Sequence, residues 1–272
     1  MASPAAVQSS APLMEQYHTV QPSAPPDYVS SSVNWMPKPE GYSDIPPGLE
    51  YLGLIDKVIV QQKLELAEIV LGWETSNKYA ILNGLGQQVY FAYEESDCCA
   101  RQCCANTRGF KLHIVDNFNK EVMRVVREFK CCAGGALCCC LAVPGGCLSA
   151  EITVEAPPGN VIGTVQQRAA SCSNAFVILD REGKQVLDIA GPCCCVLGNC
   201  SDKIFEVTTI NGPSIGEVRK KWKGCLRETY TDADTFSVTF PMDLAIQTKA
   251  TLIGATFLID FMSFESTRNR NN

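Results

Sequence analysis

The sequence predicts a mainly β fold: a closed barrel or a sandwich of about twelve strands, with one strongly apolar helix near the C-terminal end. Three observations lead there. Short runs of β-type residues recur along the chain, several of them followed by an Asn, Asp or Gly turn. The run 250–264 is almost wholly apolar, is bounded by Lys249 and Glu265, and holds one carboxylate, Asp260. Hydrophobic residues make up 46% and charged residues 19% of 272, enough apolar surface for a real core. Closure of the sheet would remove the exposed edges that so many strands otherwise present.

Residues 1–45 come first and read as a disordered, Pro-rich tail. Ser, Pro, Ala, Val and Gln dominate, and no period of a strand or helix persists. Pro22, Ser23, Ala24, Pro25, Pro26, Asp27 and Tyr28 join a P-S-A-P to a P-P-x-Y motif. Such peptides are preorganised towards polyproline II and suit the aromatic grooves of WW, SH3 or UEV-type domains; a plain spacer is the alternative. The first residues show neither a basic region nor an apolar stretch, so no secretory leader is expected.

From Pro46 onwards the strands follow. The runs are 58–61, 79–82, 88–93, 111–115, 121–128, 151–155, 161–167, 176–179, 185–189, 205–210, 215–220 and 236–240. Asn83-Gly84, Asp116-Asn117, Asp180 to Gly183 and Asn211-Gly212 supply hairpin turns between pairs of them. The segment 62–72 fits helix or strand equally. The helix is too short to span a ~30 Å hydrocarbon core unless Gln247, Thr248 and Lys249 are drawn in. Lys249 could snorkel, but Asp260 is costly in lipid, so a buried core helix is favoured.

Several chemistries are excluded or weakened. The net charge is −6, so a polyanion such as nucleic acid finds no favourable overall field. No G-x-S-x-G elbow, Walker loop or H-E-x-x-H motif occurs. The sixteen cysteines come largely as neighbours, such as Cys138-Cys139-Cys140 and Cys193-Cys194-Cys195. Neighbouring cysteines rarely bridge each other, so thiols, metal ligands or acyl carriers are expected instead of a disulfide scaffold. Arg219, Lys220, Lys221, Trp222 and Lys223 form the one dense basic patch, suited to an anionic headgroup surface or merely to a charged strand end.

An acidic segment precedes the helix. Asp232, Asp234 and Asp243 occupy positions 1, 3 and 12 of a twelve-residue window, as in an EF-hand. Phe236 at position 5 offers only a carbonyl, Ser237 stands where Gly is wanted, and the stretch 235–240 alternates like a strand. Weak calcium binding or a solvated turn both fit.

Four stretches together resemble the phospholipid scramblases: Pro46-Pro47-Gly48-Leu49-Glu50-Tyr51-Leu52, Glu74-Thr75-Ser76-Asn77-Lys78-Tyr79, Ala156-Pro157-Pro158-Gly159, and Ile253-Gly254-Ala255-Thr256-Phe257-Leu258-Ile259-Asp260-Phe261-Met262. The resemblance covers 46–265 and implies a tubby-like domain, a twelve-stranded antiparallel barrel around the helix 248–264, with a short tail at 266–272. It implies calcium-dependent, ATP-independent, bidirectional movement of phospholipid between leaflets, with no covalent catalysis. Calcium would be held by Asp232, Asp234, Phe236, Val238, Phe240 and Asp243. Palmitoylation is implied for Cys131, Cys132, Cys138, Cys139, Cys140 and Cys147, with the triplet as first choice. The family is described both as single-pass, with its bulk cytoplasmic at the plasma membrane, and as a barrel that encloses the helix. Direct transport by one short helix would call for an oligomer. The stretch 216–225 matches an import signal of some members, hence an import receptor and a nuclear pool. A palmitoylated adaptor that recruits partners through its tail is the competing function.

Overall fold

The computed structural model describes residues 33–41, 45–63, 77–96, 108–130, 149–170, 173–193, 201–210, 212–222 and 234–264. They belong to one unit, Val33–Asn272. Among the described residues a short 3-10 helix, Glu50–Leu54, leads into twelve strands and one α-helix. The strands are β1 Lys57–Lys63, β2 Lys78–Asn83, β3 Gln88–Glu95, β4 Phe110–Val115, β5 Glu121–Arg127, β6 Glu151–Glu155, β7 Val161–Arg168, β8 Ser173–Asp180, β9 Gln185–Cys193, β10 Lys203–Thr209, β11 Ser214–Lys220 and β12 Thr235–Thr239. The helix, α1, is Ile246–Ser263.

Each strand pairs antiparallel with the next in sequence, and β12 returns to β1, closing the barrel. The closing seam runs from Lys57 opposite Thr239 to Gln61 opposite Thr235. Every strand expected from the sequence is present, and the barrel is chosen over the sandwich. Gln62 and Lys63 extend β1; the rest of the ambiguous segment lies outside the described residues. The folded unit starts upstream of residue 46, since Trp35 bridges Gln88 and Met36 N donates to the Gln88 carbonyl at 2.9 Å.

Turn chemistry explains the hairpins. Asn83 Oδ1 accepts from the amides of Leu85 and Gln87, at 3.0 and 2.9 Å. Asp116 Oδ1 does the same for Phe118 and Lys120, and Asp180 Oδ1 for Glu182 and Lys184. One short polar side chain thus satisfies two orphan amides in each tip.

Alternation gives the barrel its interior. Val58 and Val60, Tyr90 and Ala92, Leu112 and Ile114, Phe205 and Val207 all point inward and are buried. Into this lumen goes α1. Its eighteen residues are about 27 Å long. Every residue from Lys249 to Met262 is buried, round the whole circumference. A helix that is apolar on all sides must be enclosed by protein or lipid; here the barrel wall encloses it. The buried core helix favoured by the sequence is what the structure shows, and the single-pass description carried by the resemblance is corrected: no described helix is long and apolar enough to cross a membrane. Polar Gln247, Thr248 and Lys249 fill the length that a span would need.

Close packing uses the small residues. A Cβ on Gly254 would lie 2.6 Å from Val154 Cγ2 on β6, so glycine lets α1 approach that wall. Phe257 meets Tyr79 edge to face at 5.0 Å, and Phe261 stacks on Phe110 at 4.1 Å.

Gly254→Val is expected to lower stability by about 1–3 kcal/mol through overpacking against Val154. Urea unfolding of the full chain checks this; an unchanged midpoint would show that α1 does not lie against β6.

Candidate functional site

Two charged side chains sit on the buried helix, one near each end, and each is met by a polar partner set. Lys249 is wholly buried. Its Nζ donates to the carbonyls of Leu52, Ile55 and Met242 at 3.0, 3.0 and 2.7 Å, which uses all three protons. The Phe240 ring lies 5.2 Å from the same nitrogen. Burial pushes the ammonium pKa down, and Asp243 and Asp56 oppose that shift. The ammonium ties the start of α1 to the 3-10 helix and to the strand end before it. Lys249 neither snorkels nor reaches solvent.

At the other end Asp260 accepts a hydrogen bond from Tyr79 at 2.9 Å. Beside it lies a buried ion pair that the sequence reading did not single out. Arg108 Nε and Nη2 donate to Glu94 Oε1 and Oε2 at 2.9 and 3.2 Å, and neither side chain is exposed. Asn77 donates to Glu94 through its side chain and its main chain, Ser96 adds a third donor, and Gln62 donates to Asn77. The Arg108 guanidinium lies 4.8 Å from the centre of the Phe261 ring. Burial alone would raise the Glu94 pKa. The Arg108 charge and hydrogen bonds, with those from Ser96 and Asn77, outweigh it and hold the carboxyl below its ordinary value. A signal existed for Glu94, which continues the inward alternation of Tyr90 and Ala92. Arg108 stands just before a strand, where periodicity is silent.

The acidic segment does not fold as a loop. Residues Thr235–Thr239 form β12, a strand paired on both sides, with β1 and β11. Phe236 and Val238 are buried in the barrel, and their carbonyls lie in a sheet with neighbours on both sides. Asp234 precedes the strand, and its carboxylate pairs with Lys220 Nζ at 2.8 Å. Phe240 is buried past the far end, and Asp243 lies beyond it, exposed. The six residue-to-residue steps of extended chain from Asp234 to Phe240 span roughly 20 Å. These two carboxylates therefore stand at opposite rims and cannot ligate one cation. Asp232 lies outside the described residues. Among the described residues no three His, Cys, Asp or Glu side chains gather as a metal site.

Two residues of the basic patch, Arg219 and Lys220, are committed to the fold. Arg219 pairs with Glu217 at 2.7 Å and with Asp202 at 3.5 Å. Lys220, besides Asp234, lies 3.8 Å from the Phe264 ring centre, which helps hold the end of α1. Lys221 and Trp222 are exposed; Lys223 lies outside the described residues. So do Pro22, Ser23, Ala24, Pro25, Pro26 and Tyr28, and Cys131, Cys132, Cys138, Cys139, Cys140 and Cys147.

Arg108→Met should cost about 3–5 kcal/mol, because it leaves Glu94 buried and unpaired. Adding Glu94→Gln should recover much of that loss. The folded-state pKa of Glu94 is depressed, so its contribution is present above the ordinary carboxylate pKa and is lost as pH falls through the folded value. Glu94→Gln should correspondingly flatten the acid limb of the stability profile; equal acid limbs in both proteins would refute the assignment.

Comparison with known proteins agrees with this architecture. A family model described as Scramblase matches residues 36–266, which takes in the barrel and its helix. The chain is 45% identical to human phospholipid scramblase 1 over 88% of its own length and 72% of that protein. It is 42% identical to bovine phospholipid scramblase 2, over 94% of the chain and 83% of that protein. Human phospholipid scramblase family member 5 is also 42% identical, over 81% of the chain and 78% of that protein. No solved structure matches. With a match that runs through all twelve strands and the enclosed helix, the chain belongs to the phospholipid scramblase family.

Proposed function

We propose that this chain moves phospholipids between leaflets, down their gradient, in both directions and without ATP. The family match over the barrel and helix carries the reading. Movement down a gradient needs no covalent step, in keeping with a sequence that shows no nucleotide or hydrolase motif. The chain would work from the cytoplasmic face of a membrane, as a lipid translocator and not as an enzyme.

The enclosed helix limits how this can be done. Leu252, Ile253, Phe257, Leu258, Ile259 and Phe261 are buried in the lumen. Each is worth about 1.5–3 kcal/mol, so withdrawing them costs on the order of 9–18 kcal/mol. That matches the total stability of a domain, about 5–15 kcal/mol. Lipid would repay the helix, but the emptied barrel wall would stay uncovered. Helix and barrel therefore act as one body, and transport proceeds by deforming the bilayer from its surface, alone or as an oligomer.

Calcium enters the proposal as a regulator, but not through the window 232–243 acting as one loop. Asp234→Asn and Asp243→Asn should each leave the calcium midpoint of lipid movement within about two-fold, below the ~1 kcal/mol that losing a direct ligand exceeds. Reconstituted vesicles with a fluorescent lipid test this; loss of the calcium response in both variants would restore the single-site reading.

A second reading draws on the same buried helix. As an adaptor, the chain would be held at a membrane by acylated Cys138, Cys139 and Cys140 and would present its Pro22 to Tyr28 motif to WW, SH3 or UEV-type domains; unacylated chain would engage an import receptor. An epitope placed after Asn272 should stain only in permeabilised cells under either reading, because α1 stays in the barrel. Staining of intact cells would overturn the enclosed helix. Lipid movement by purified, unacylated protein then separates the two functions.

A further inference from the structure

His113 is one of two histidines in the chain. It lies in β4 on the outer wall of the barrel, directly across from Tyr93 on β3 and Arg124 on β5. Both nitrogens of its ring face carboxylates, one at each edge of the ring. Nε2 is 2.7 Å from Glu95 Oε2, and Nδ1 is 2.8 Å from Glu121 Oε1. An ionised carboxylate only accepts, so two such bonds call for a proton on each ring nitrogen, which makes the ring an imidazolium. Both partners are good acceptors. The bond from His113 is the main cause that holds Glu95 below its ordinary pKa. For Glu121 burial pulls upward, and the bonds and charges of Arg124 and His113 outweigh it.

The surroundings suit a positive ring. Glu95, Glu121 and, 3.8 Å beyond Arg124, Glu155 on β6 are the acids of this cluster. Lys111, opposite Glu95, and Arg124 are its fixed cations. Three carboxylates against two cations leave one charge for the imidazolium to balance. The Tyr93 ring stacks on the imidazole, with centres 5.1 Å apart. Burial, and then Glu121 and Glu95, raise the Tyr93 pKa, so the phenol stays neutral.

The two bonds are unequal. Glu121 is 25% exposed and is also gripped by Arg124 Nε and Nη2, at 2.8 and 2.9 Å. Glu95 is 62% exposed, ends β3, and has Lys111 across from it as another partner. A ring with one proton keeps only one of the two bonds. That proton stays on Nδ1 with the better fixed Glu121, and Nε2 then turns a lone pair towards Glu95.

We propose that His113 is a proton-operated latch on the end of β3: closed on Glu95 when the ring holds two protons, and open, with Glu95 left to Lys111, when it holds one. Histidine is the side chain that ordinarily changes charge between about pH 5 and pH 8. The latch also bears on the enclosed helix. Glu94, the neighbour of Glu95, points inward to Arg108, which lies against Phe261. A loosened end of β3 therefore acts on the exit end of α1. None of this depends on lipid movement.

Imidazole nitrogen NMR of the full-length chain tests the latch, and His113→Gln separates its signals from those of His18. Histidine in water keeps its last proton mainly on Nε2. Above the imidazole range, at about pH 8.5, His113 should show the opposite tautomer, with the proton on Nδ1. Urea unfolding supplies the second readout. Glu95→Gln should lower the folding equilibrium constant about two- to five-fold more at roughly pH 5.5 than at roughly pH 8.5. That difference should vanish when His113→Gln is also present. An Nε2-protonated ring at the higher pH, or a cost of Glu95→Gln that is the same at both, would overturn the proposal.

Discussion

The structure depends on one constraint: a twelve-stranded barrel cannot fill its own lumen with side chains. Eight strands leave room just for the inward residues, and wider barrels enclose a cavity or channel. Helix α1 is the filler. Its uniform apolarity follows from being surrounded on every side by Val58, Ile81, Leu112, Val125, Val154 and their neighbours. The barrel gives the helix a dry environment, and the helix fills the lumen of the barrel. Neither is a stable object alone.

The polar exceptions on α1 fit this logic. A lysine and an aspartate inside a hydrophobic core would each cost several kcal/mol if unsatisfied. Lys249 finds three carbonyls at the end where the chain enters the lumen. Asp260 finds Tyr79 towards the end where it leaves. The Glu94–Arg108 pair lies against Phe261 at the same exit. Polar partners at both mouths fix the depth and the direction of the helix, which apolar packing alone specifies poorly. The same residues explain why this run fails as a membrane span: they are placed for a protein interior.

The antiparallel meander also gives the molecule two ends. The turns after β2, β4, β6, β8 and β10 all fall on one rim, and the longer connections, with the four residues between β7 and β8, fall on the other. Lysines far apart in sequence, such as Lys63, Lys78, Lys111 and Lys221, are brought to one end in this way.

Much of this was legible in the residues. Twelve strands could be read from period-two alternation, and the turns from Asn83, Asp116 and Asp180, because both are local effects that act within a few residues. The apolar run 250–264 was equally plain, and Asp260 within it, with Lys249 at its edge, already argued against a span. The site was less legible. The window 232–243 has the carboxylate spacing of a cation loop, but β12 is held extended by β1, some 180 residues away in sequence, and that pairing decides the backbone. Arg219 and Lys220 read as a free basic patch until Asp202, Glu217 and Asp234 are brought beside them by neighbouring strands and turns. Glu94 and Arg108 meet only once β3 and β4 pair. By itself the sequence determined the element types, the turn chemistry and the family, since these depend on local pattern. The tertiary structure alone decided that the helix lies inside, that the acidic window is a strand, and which charges share a rim, since each depends on contacts between residues far apart in the chain.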